Sequence, residues 1–441
     1  MTTCTYRSAL DATARELFDW HAQPAAFERL MPPWDPVRVI ARTGTGLDVG
    51  NTLTFEAKVG PATVRWEARH VACDPPHGFA DEQVRGPFAS WRHDHRFADG
   101  ELTDVVTYEV PLGPLGRGVA GGAVQRRVDA IFGFRHRRTR DDLGWLQPVR
   151  GQERPRVAIT GATGFVGGQL ASLLGVGGYE VVPVSVRDGV APGALQGARA
   201  VVHLAGEPIA GHRWTDAHKE RVLRSRIEGT RAVVDRLLAQ DPRPEVLVCA
   251  SAIGWYGDRG DTLVEEEEPP GEGFLAEVCR AWEGATAPAR EAGIRVVNVR
   301  IGLVLGAQGG MLSTVLPAFR AGAGGPMGSG DQWMSWIAVD DLVGVLHRAI
   351  WDPSLSGPVN AVAPEPVRQR DFAHTLGAVL RRPAIVPTPR AALVLALGAQ
   401  AADELLLASQ RVAPAALVAA DFPFRYPALE GALRHQLGRE A

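Results

Sequence analysis

Cysteine is scarce in this sequence, with only four among 441 residues. Cys4, Cys73, Cys249 and Cys279 are scattered along the chain and none belongs to a CxxC pair. Structural zinc sites and disulfide frameworks need closely spaced or regularly paired cysteines, so neither is expected here. Four unpaired thiols are typical of a protein of the reducing cytoplasm.

Long hydrophobic runs are also missing. The most apolar run, residues 391–397, is far shorter than the roughly 20 residues that span a bilayer. Residues 1–10 lack the apolar core of a secretion signal. We therefore expect a soluble, unprocessed, cytoplasmic protein with no membrane partner.

Charge of one sign is not in excess. The chain has 47 basic and 50 acidic residues, which gives a formal net charge of -3. This balance supplies no broad basic surface for nucleic acid, and we expect a small-molecule substrate instead. With 45% hydrophobic residues, 441 residues are too many for one core, so two or three domains are expected.

The chain contains a first domain, residues 1–148, that ends in a polar, Pro/Gly-containing stretch at 147–155. β-Branched and aromatic residues in this domain predict strands, and a long helix is predicted after them. The predicted strands are residues 52–58, 63–70 and 102–110, and the predicted helix is residues 122–145.

Apolar strands then alternate with helical stretches in a second domain, residues 155–350. This alternation predicts an α/β fold with a parallel sheet covered by helices. The predicted strands are residues 157–160, 181–186, 200–204, 246–250 and 296–299. Residues 351–441, Pro-rich and then helical, are predicted to form a substrate cap over the carboxyl edge of the sheet.

The order of elements in the first 146 residues, with a short helix and a tryptophan-containing loop over residues 18–21 and 27–34, resembles the START-like (polyketide cyclase) helix-grip domains. The resemblance implies an α+β domain whose curved sheet and long helix enclose a cavity for an apolar ligand. His93 and His95 would share one strand face with a spacing that could bind a metal. That segment offers no third ligand, so the sequence predicts no metal site.

A glycine-rich turn follows the strand 156–160 and opens a helix. In dinucleotide-binding proteins, the first glycine allows the tight turn, the second lets the backbone approach the pyrophosphate, and the third lets helix and strand pack closely. The helix N-terminus adds free N–H groups for the phosphates. The candidate cofactor-binding residues are Gly161, Thr163, Gly164, Phe165, Val166 and Gly167.

The end of the next strand would contact the adenosine ribose. Arg187 lies 20 residues after Gly167, and Asp188 follows it. An arginine accommodates the 2′-phosphate of NADP, whereas an acid binds the 2′-hydroxyl of NAD. A guanidinium matches a phosphate with two hydrogen bonds, and Arg187 is nearer the strand, so we favour NADP over NAD.

From residue 156 to the end, the chain resembles the extended and atypical short-chain dehydrogenase/reductases, and among them the "epimerase family" proteins. The motifs that carry the resemblance are residues 160–167, 203–210, 213–215, 225–227, 251–258, 274–279 and 328–337. It implies a doubly wound Rossmann fold. It also implies that Leu204, Ala205 and Gly206 line the cofactor path and that Arg300 lies beside the nicotinamide.

That superfamily normally uses a Tyr-x-x-x-Lys pair, in which lysine lowers the tyrosine pKa so that its hydroxyl can move a proton. Leu275 and Cys279 stand at those positions in this sequence. By resemblance, Ser251 would orient the substrate. Tyr256 is the nearest replacement acid, and it would need a positioned cation.

Lys219 and Arg213 are the two candidate cations that could lower the pKa of Tyr256. A run of four acids, residues 265–268, looks superficially like a catalytic cluster, but adjacent carboxylates repel one another and predict a solvated loop.

The leading interpretation is an NADP-dependent oxidoreductase or epimerase acting on a small carbonyl or sugar-like substrate. The missing Tyr-x-x-x-Lys keeps an alternative open, a cofactor-binding sensor without hydride chemistry.

Overall fold

The computed structural model describes residues 1–59 and 62–439. The chain divides into two compact units. One comprises Met1–Gln152 with Ser172–Gly178, and the other comprises Glu153–Ala171 with Tyr179–Arg439. Among the described helices, none combines the length and the apolar character needed to cross a lipid bilayer.

The first unit is built on a seven-stranded antiparallel sheet. Its strands are β1 (Thr2–Ala9), β2 (Arg38–Arg42), β3 (Thr52–Val59), β4 (Ala62–Asp74), β5 (Gly78–Arg85), β6 (Ser90–Ala98) and β7 (Glu101–Glu109). Their order across the sheet is β1-β7-β6-β5-β4-β3-β2. Residues two apart on a strand face the same side, so one face of this sheet can line a cavity while the other meets solvent.

Three helices complete the first unit: α1 (Ala14–Ala22), α2 (Ala26–Arg29) and α3 (Gly113–Leu146). Thr13 and Glu16 form a capping box that fixes the start of α1. The long helix packs against the sheet, where the Phe132 and Tyr6 rings stack with centroids 4.9 Å apart. This arrangement confirms the predicted helix-grip fold.

The second unit contains a six-stranded parallel sheet and several two-stranded pairings. Its strands are β8 (Arg156–Thr160), β9 (Glu180–Val184), β10 (Ala200–His203), β11 (Val246–Ala252), β12 (Leu263–Val264), β13 (Arg295–Ile301), β14 (Leu303–Gly306), β15 (Trp333–Met334), β16 (Trp336–Ala338), β17 (Gly357–Ala361), β18 (Val367–Arg368) and β19 (Arg411–Val412). The main sheet has the order β17-β13-β11-β10-β8-β9. Its central strands are apolar runs buried on both faces, as expected for a sheet covered by helices.

The helices that begin in this unit are α4 (Phe165–Val176), α5 (Asp216–Leu238), α6 (Phe274–Gly284), α7 (Ala287–Glu291), α8 (Gly310–Arg320), α9 (Val339–Trp351), α10 (Gln369–Leu380), α11 (Arg390–Leu397), α12 (Ala399–Ala402), α13 (Ala415–Ala419) and α14 (Leu429–Leu437). The residues of α4 from Ser172 onward belong to the first unit. The predicted doubly wound parallel fold is confirmed. Its sixth strand, β17, falls within the stretch expected to be cap.

The strand order reverses at β8. The chain passes from β8 to β9 on one side and then returns to place β10 on the other side. In open α/β sheets, ligands bind at the carboxyl ends of the strands where the order reverses in this way. The candidate dinucleotide site therefore lies at the ends of β8 and β10.

Candidate functional site

The turn after β8 requires glycine at two positions for different reasons. Gly161 has φ +71°, and a Cβ there would lie 3.0 Å from the backbone nitrogen of Ala205. A Cβ on Gly167 would lie 2.2 Å from the carbonyl oxygen of Gly161, which is far inside contact distance. The exposed residues Thr163 and Gly164 occupy the tip of the turn. The glycine turn is therefore tightly packed against the backbone of Ala205, while its tip is exposed.

The residues after β10 are fixed to this turn by one hydroxyl. The Thr160 Oγ1 accepts hydrogen bonds from the backbone nitrogens of Leu204 (3.1 Å) and Ala205 (3.2 Å). The same oxygen lies 2.6 Å from Nδ1 of His203, whose other ring nitrogen is 3.1 Å from the Thr230 hydroxyl. Burial lowers the pKa of His203 to about 4, so its ring is neutral at pH 7. The predicted cofactor-lining segment is held beside the glycine turn.

Phe165 and Val166, at the start of α4, are partly buried. The Phe165 ring packs on the backbone of Gly309, where an added Cβ would lie 2.3 Å from the ring. A similar contact occurs at Gly306. These contacts anchor the first turn of the helix whose N-terminus would face the phosphates.

Arg187 follows β9 and is exposed, as is Asp188. Val184, near the end of β9, pairs with Thr160 at the end of β8. Residues leaving these neighbouring strands therefore start from the same edge of the sheet as the glycine turn. This position is compatible with a contact between Arg187 and the adenosine ribose.

Arg226 on α5 is a buried cation that lies beside the predicted cofactor-lining segment 204–206. The sequence predicted no role for it. A Cβ on Gly206 would lie 3.4 Å from its guanidinium carbon. One guanidinium nitrogen donates to the Glu207 carbonyl at 2.9 Å, while Nε has no hydrogen-bond partner within residues 1–59 and 62–439. Burial lowers the Arg226 pKa to about 10, which leaves it charged at pH 7. A tight glycine turn, a helix N-terminus and a buried cation with spare donors fit a dinucleotide.

Ser251, Glu283 and Arg300 meet at the carboxyl ends of β11 and β13. The Ser251 hydroxyl donates to the Glu283 carboxylate at 2.7 Å. Arg300 donates to both oxygens of the same carboxylate, at 2.8 and 3.0 Å. The Arg300 side chain is 3% exposed and that of Glu283 is 10% exposed, so this pair is a buried, two-point ion pair.

Arg300 also organises Tyr256. It donates to the tyrosine hydroxyl at 3.0 Å, and that hydroxyl donates to the Asn360 side chain at 2.7 Å. Burial raises the pKa of Tyr256 to about 12 even though the Arg300 charge acts to lower it. Tyr256 is therefore a protonated phenol at neutral pH, and its predicted role as a proton relay stays a prediction.

Glu266 corrects one expectation. The acidic run 265–268 was expected to be a solvated loop, yet Glu266 is 7% exposed. Its carboxylate accepts hydrogen bonds from the backbone nitrogens of Asn360 and Ala416, and its carbonyl accepts one from Arg300. These partners compensate for the loss of water around the carboxylate.

Leu275 and Cys279 lie on the α6 face that packs on the end of β11. A Cβ on Gly254 would lie 3.1 Å from the Leu275 side chain and 3.7 Å from the Cys279 sulfur. Glu283 follows Cys279 by one helical turn on the same face. A cation at the Tyr256 hydroxyl is Arg300, whereas Lys219 contacts Asp216 and Gln400.

Three family models match separate stretches of the chain. The model of the NAD dependent epimerase/dehydratase family matches residues 157–361. The model described as polyketide cyclase/dehydrase and lipid transport matches residues 10–132. Residues 388–436 match a domain of unknown function.

Known proteins are similar to one or both units. An epimerase family protein, the SDR39U1 homolog of Arabidopsis thaliana chloroplasts, is 40% identical over 63% of this chain and 85% of its own length. A crystal structure described as a nucleoside-diphosphate sugar epimerase from Corynebacterium glutamicum is 34% identical and has a TM-score of 0.80, with 99% of this chain and 90% of that chain covered. The human epimerase family protein SDR39U1, solved with NADPH, is 32% identical, has a TM-score of 0.59, and covers 64% of this chain and 99% of its own.

Proposed function

The chain belongs to the NAD-dependent epimerase/dehydratase family, and from this premise we propose that it binds NADP(H) and acts as an oxidoreductase or epimerase on a small carbonyl or sugar-like substrate. The observation that carries the proposal is the three-glycine turn between β8 and α4, packed against Leu204 and Ala205. Arg187 supports NADP over NAD by its position, and the human relative was solved with NADPH. When bound, NADP(H) would accept or supply hydride.

The protein's own groups would have to move the accompanying proton. Ser251 donates a hydrogen bond to Glu283, so its oxygen can accept a hydrogen bond from a substrate hydroxyl. In the oxidative direction, the substrate proton passes to the Ser251 oxygen as the Ser251 proton passes to Glu283. The reductive direction reverses both transfers. This relay assigns Glu283 the proton-accepting part that the tyrosine–lysine pair plays elsewhere in the superfamily.

An alternative function is cofactor-dependent sensing without turnover. It is favoured by two observations, the Leu275 and Cys279 side chains at the tyrosine and lysine positions and a cavity of about 780 Å³ in the first unit. That cavity is large enough for an apolar ligand. Binding of NADPH without oxidation across a panel of carbonyl compounds would favour this alternative.

Replacing Arg187 with alanine is expected to remove the preference for NADPH. A guanidinium–phosphate contact contributes about 1.5–3 kcal/mol, so NADPH should bind roughly 10- to 100-fold more weakly while NADH affinity stays the same. Nicotinamide fluorescence titrations of both cofactors measure this. Asp188→Ala is the matched control because it removes the adjacent exposed charge. Equal affinity of the unaltered protein for the two cofactors would overturn the assignment.

Ser251→Ala is expected to slow turnover without weakening cofactor binding. Losing a positioned proton relay costs about 100-fold or more in kcat. Ser354→Ala is the control because Ser354 is exposed in the loop that precedes β17. It should leave kcat unchanged. Unchanged turnover in Ser251→Ala would contradict the relay, whereas a loss of NADPH affinity would indicate a structural role.

A further inference from the structure

The cavity of the first unit has a polar floor that the dinucleotide chemistry does not use. His93 and His95 are two residues apart on β6 and both line the cavity. Asp81, on β5, pairs directly with His93 across the two strands and lines it as well. One donor atom from each of these three side chains lies within 4.8 Å of the others.

A fourth side chain, Asp104 on β7, lies within ion-pair distance of both imidazoles. One of its oxygens lies 3.2 Å from Nε2 of His93 and 2.9 Å from Nδ1 of His95. Its other oxygen lies 3.0 Å from Nε2 of His136. The other ring nitrogen of His93, Nδ1, lies 3.5 Å from an Asp81 oxygen, so Asp81 and this ring meet at the cavity. Metal-binding histidines are commonly oriented by a carboxylate such as that of Asp104.

We propose that Asp81, His93 and His95 bind a divalent metal ion such as zinc at the floor of this cavity. Two imidazoles and one carboxylate are a ligand set that zinc and iron(II) accept. Three protein ligands leave coordination positions open, as in catalytic rather than structural sites. The sequence predicted no metal because it offered no third ligand near His93 and His95, and the pairing of β5 with β6 supplies one.

The surroundings indicate what the open positions would bind. The cavity walls include many apolar side chains, among them Phe27, Trp66, Phe88, Trp91, Val128 and Phe132. A ligand suited to both parts has an apolar body and one oxygen donor, such as a carbonyl or hydroxyl group, that coordinates the ion. The first unit would then bind its ligand, or act on it, through the metal ion as well as through apolar contacts.

The test uses the full-length protein after removal of metals with a chelator. Calorimetric titration with Zn²⁺ should give one tightly bound ion per chain. Asp81→Asn and His95→Gln should each weaken binding by about 10-fold or more, in line with the effect of disturbing metal-site residues. His77→Gln changes an exposed histidine of the β4–β5 turn and should bind Zn²⁺ as the unaltered protein does. Thermal unfolding verifies that each variant is folded. If His95→Gln does not fold, the more conservative Asp81→Asn variant still tests the proposal.

Co²⁺ provides an independent readout of the ligands. A cobalt ion bound by imidazole and carboxylate gives visible absorption bands without the near-ultraviolet charge-transfer band of a cobalt–thiolate bond. A thiolate band would point to the cysteines and overturn the proposal. It would be overturned equally by the absence of stoichiometric Zn²⁺ binding, or by unchanged binding in folded Asp81→Asn and His95→Gln proteins.

Discussion

Gly167→Ala is expected to reduce NADPH affinity by more than about 100-fold. The added Cβ would meet the Gly161 carbonyl oxygen at 2.2 Å and its carbonyl carbon at 2.8 Å, and neither backbone atom can rotate away. Overpacking of this kind typically costs 1–3 kcal/mol and sometimes more, and here relief requires the glycine turn to move. A 100-fold loss corresponds to about 2.8 kcal/mol. Fluorescence titration with NADPH measures it directly.

The neighbouring glycine supplies a matched control. A Cβ on Gly168 would lie 3.5 Å from the Ala162 carbonyl oxygen, which is an ordinary contact. Gly168→Ala should therefore bind NADPH normally, and its helix should gain about 0.5–1 kcal/mol because alanine is the better helix former. Equal effects of the two substitutions, or normal NADPH binding by Gly167→Ala, would show that the close packing of this turn does not govern cofactor binding.

The glycine turn could be predicted because its information is local. Three glycines, a strand before them and a helix after them are contiguous in the sequence, and the structure places them at the reversal point of the sheet. The alternation of apolar strands and helices likewise gave the doubly wound fold. β17 was missed because three of its five residues, Gly357–Ala361, are glycine, proline and asparagine, which are typical of loops.

The groups around Ser251 could not be predicted in the same way. Glu283 lies 32 residues after Ser251 and 17 before Arg300, and only the packing of α6 across β11 and β13 brings the three together. The backbone groups that donate hydrogen bonds to the buried Glu266 carboxylate lie 94 and 150 residues away in the sequence. The acidic run gives no sign of this, since repulsion between neighbouring carboxylates predicts exposure for all four. The helical spacing of Cys279 and Glu283 was the one available signal.

Glu283→Gln is expected to be the most damaging substitution in the second unit. Arg300 would remain buried and charged without its carboxylate, and removing one partner of a buried ion pair costs about 3–5 kcal/mol of unfolding free energy. The variant should also lose turnover by about 100-fold or more, because the Ser251 proton would have no carboxylate to accept it. Chemical denaturation measures the first effect, and NADPH oxidation measures the second.

A double variant separates the two roles of Glu283. Arg300→Met combined with Glu283→Gln removes the uncompensated charge, and apolar replacement of a buried pair is often close to neutral in stability. The double variant should therefore regain most of the lost unfolding free energy while turnover stays low. Recovery of turnover together with stability would mean that Glu283 is needed only to compensate the buried charge of Arg300. A single variant as stable as the unaltered protein would show that Arg300 finds another partner or reaches water. Low turnover in a stable double variant that still binds NADPH would show that the loss comes neither from instability nor from lost cofactor binding, as expected if Ser251 and Glu283 move the proton.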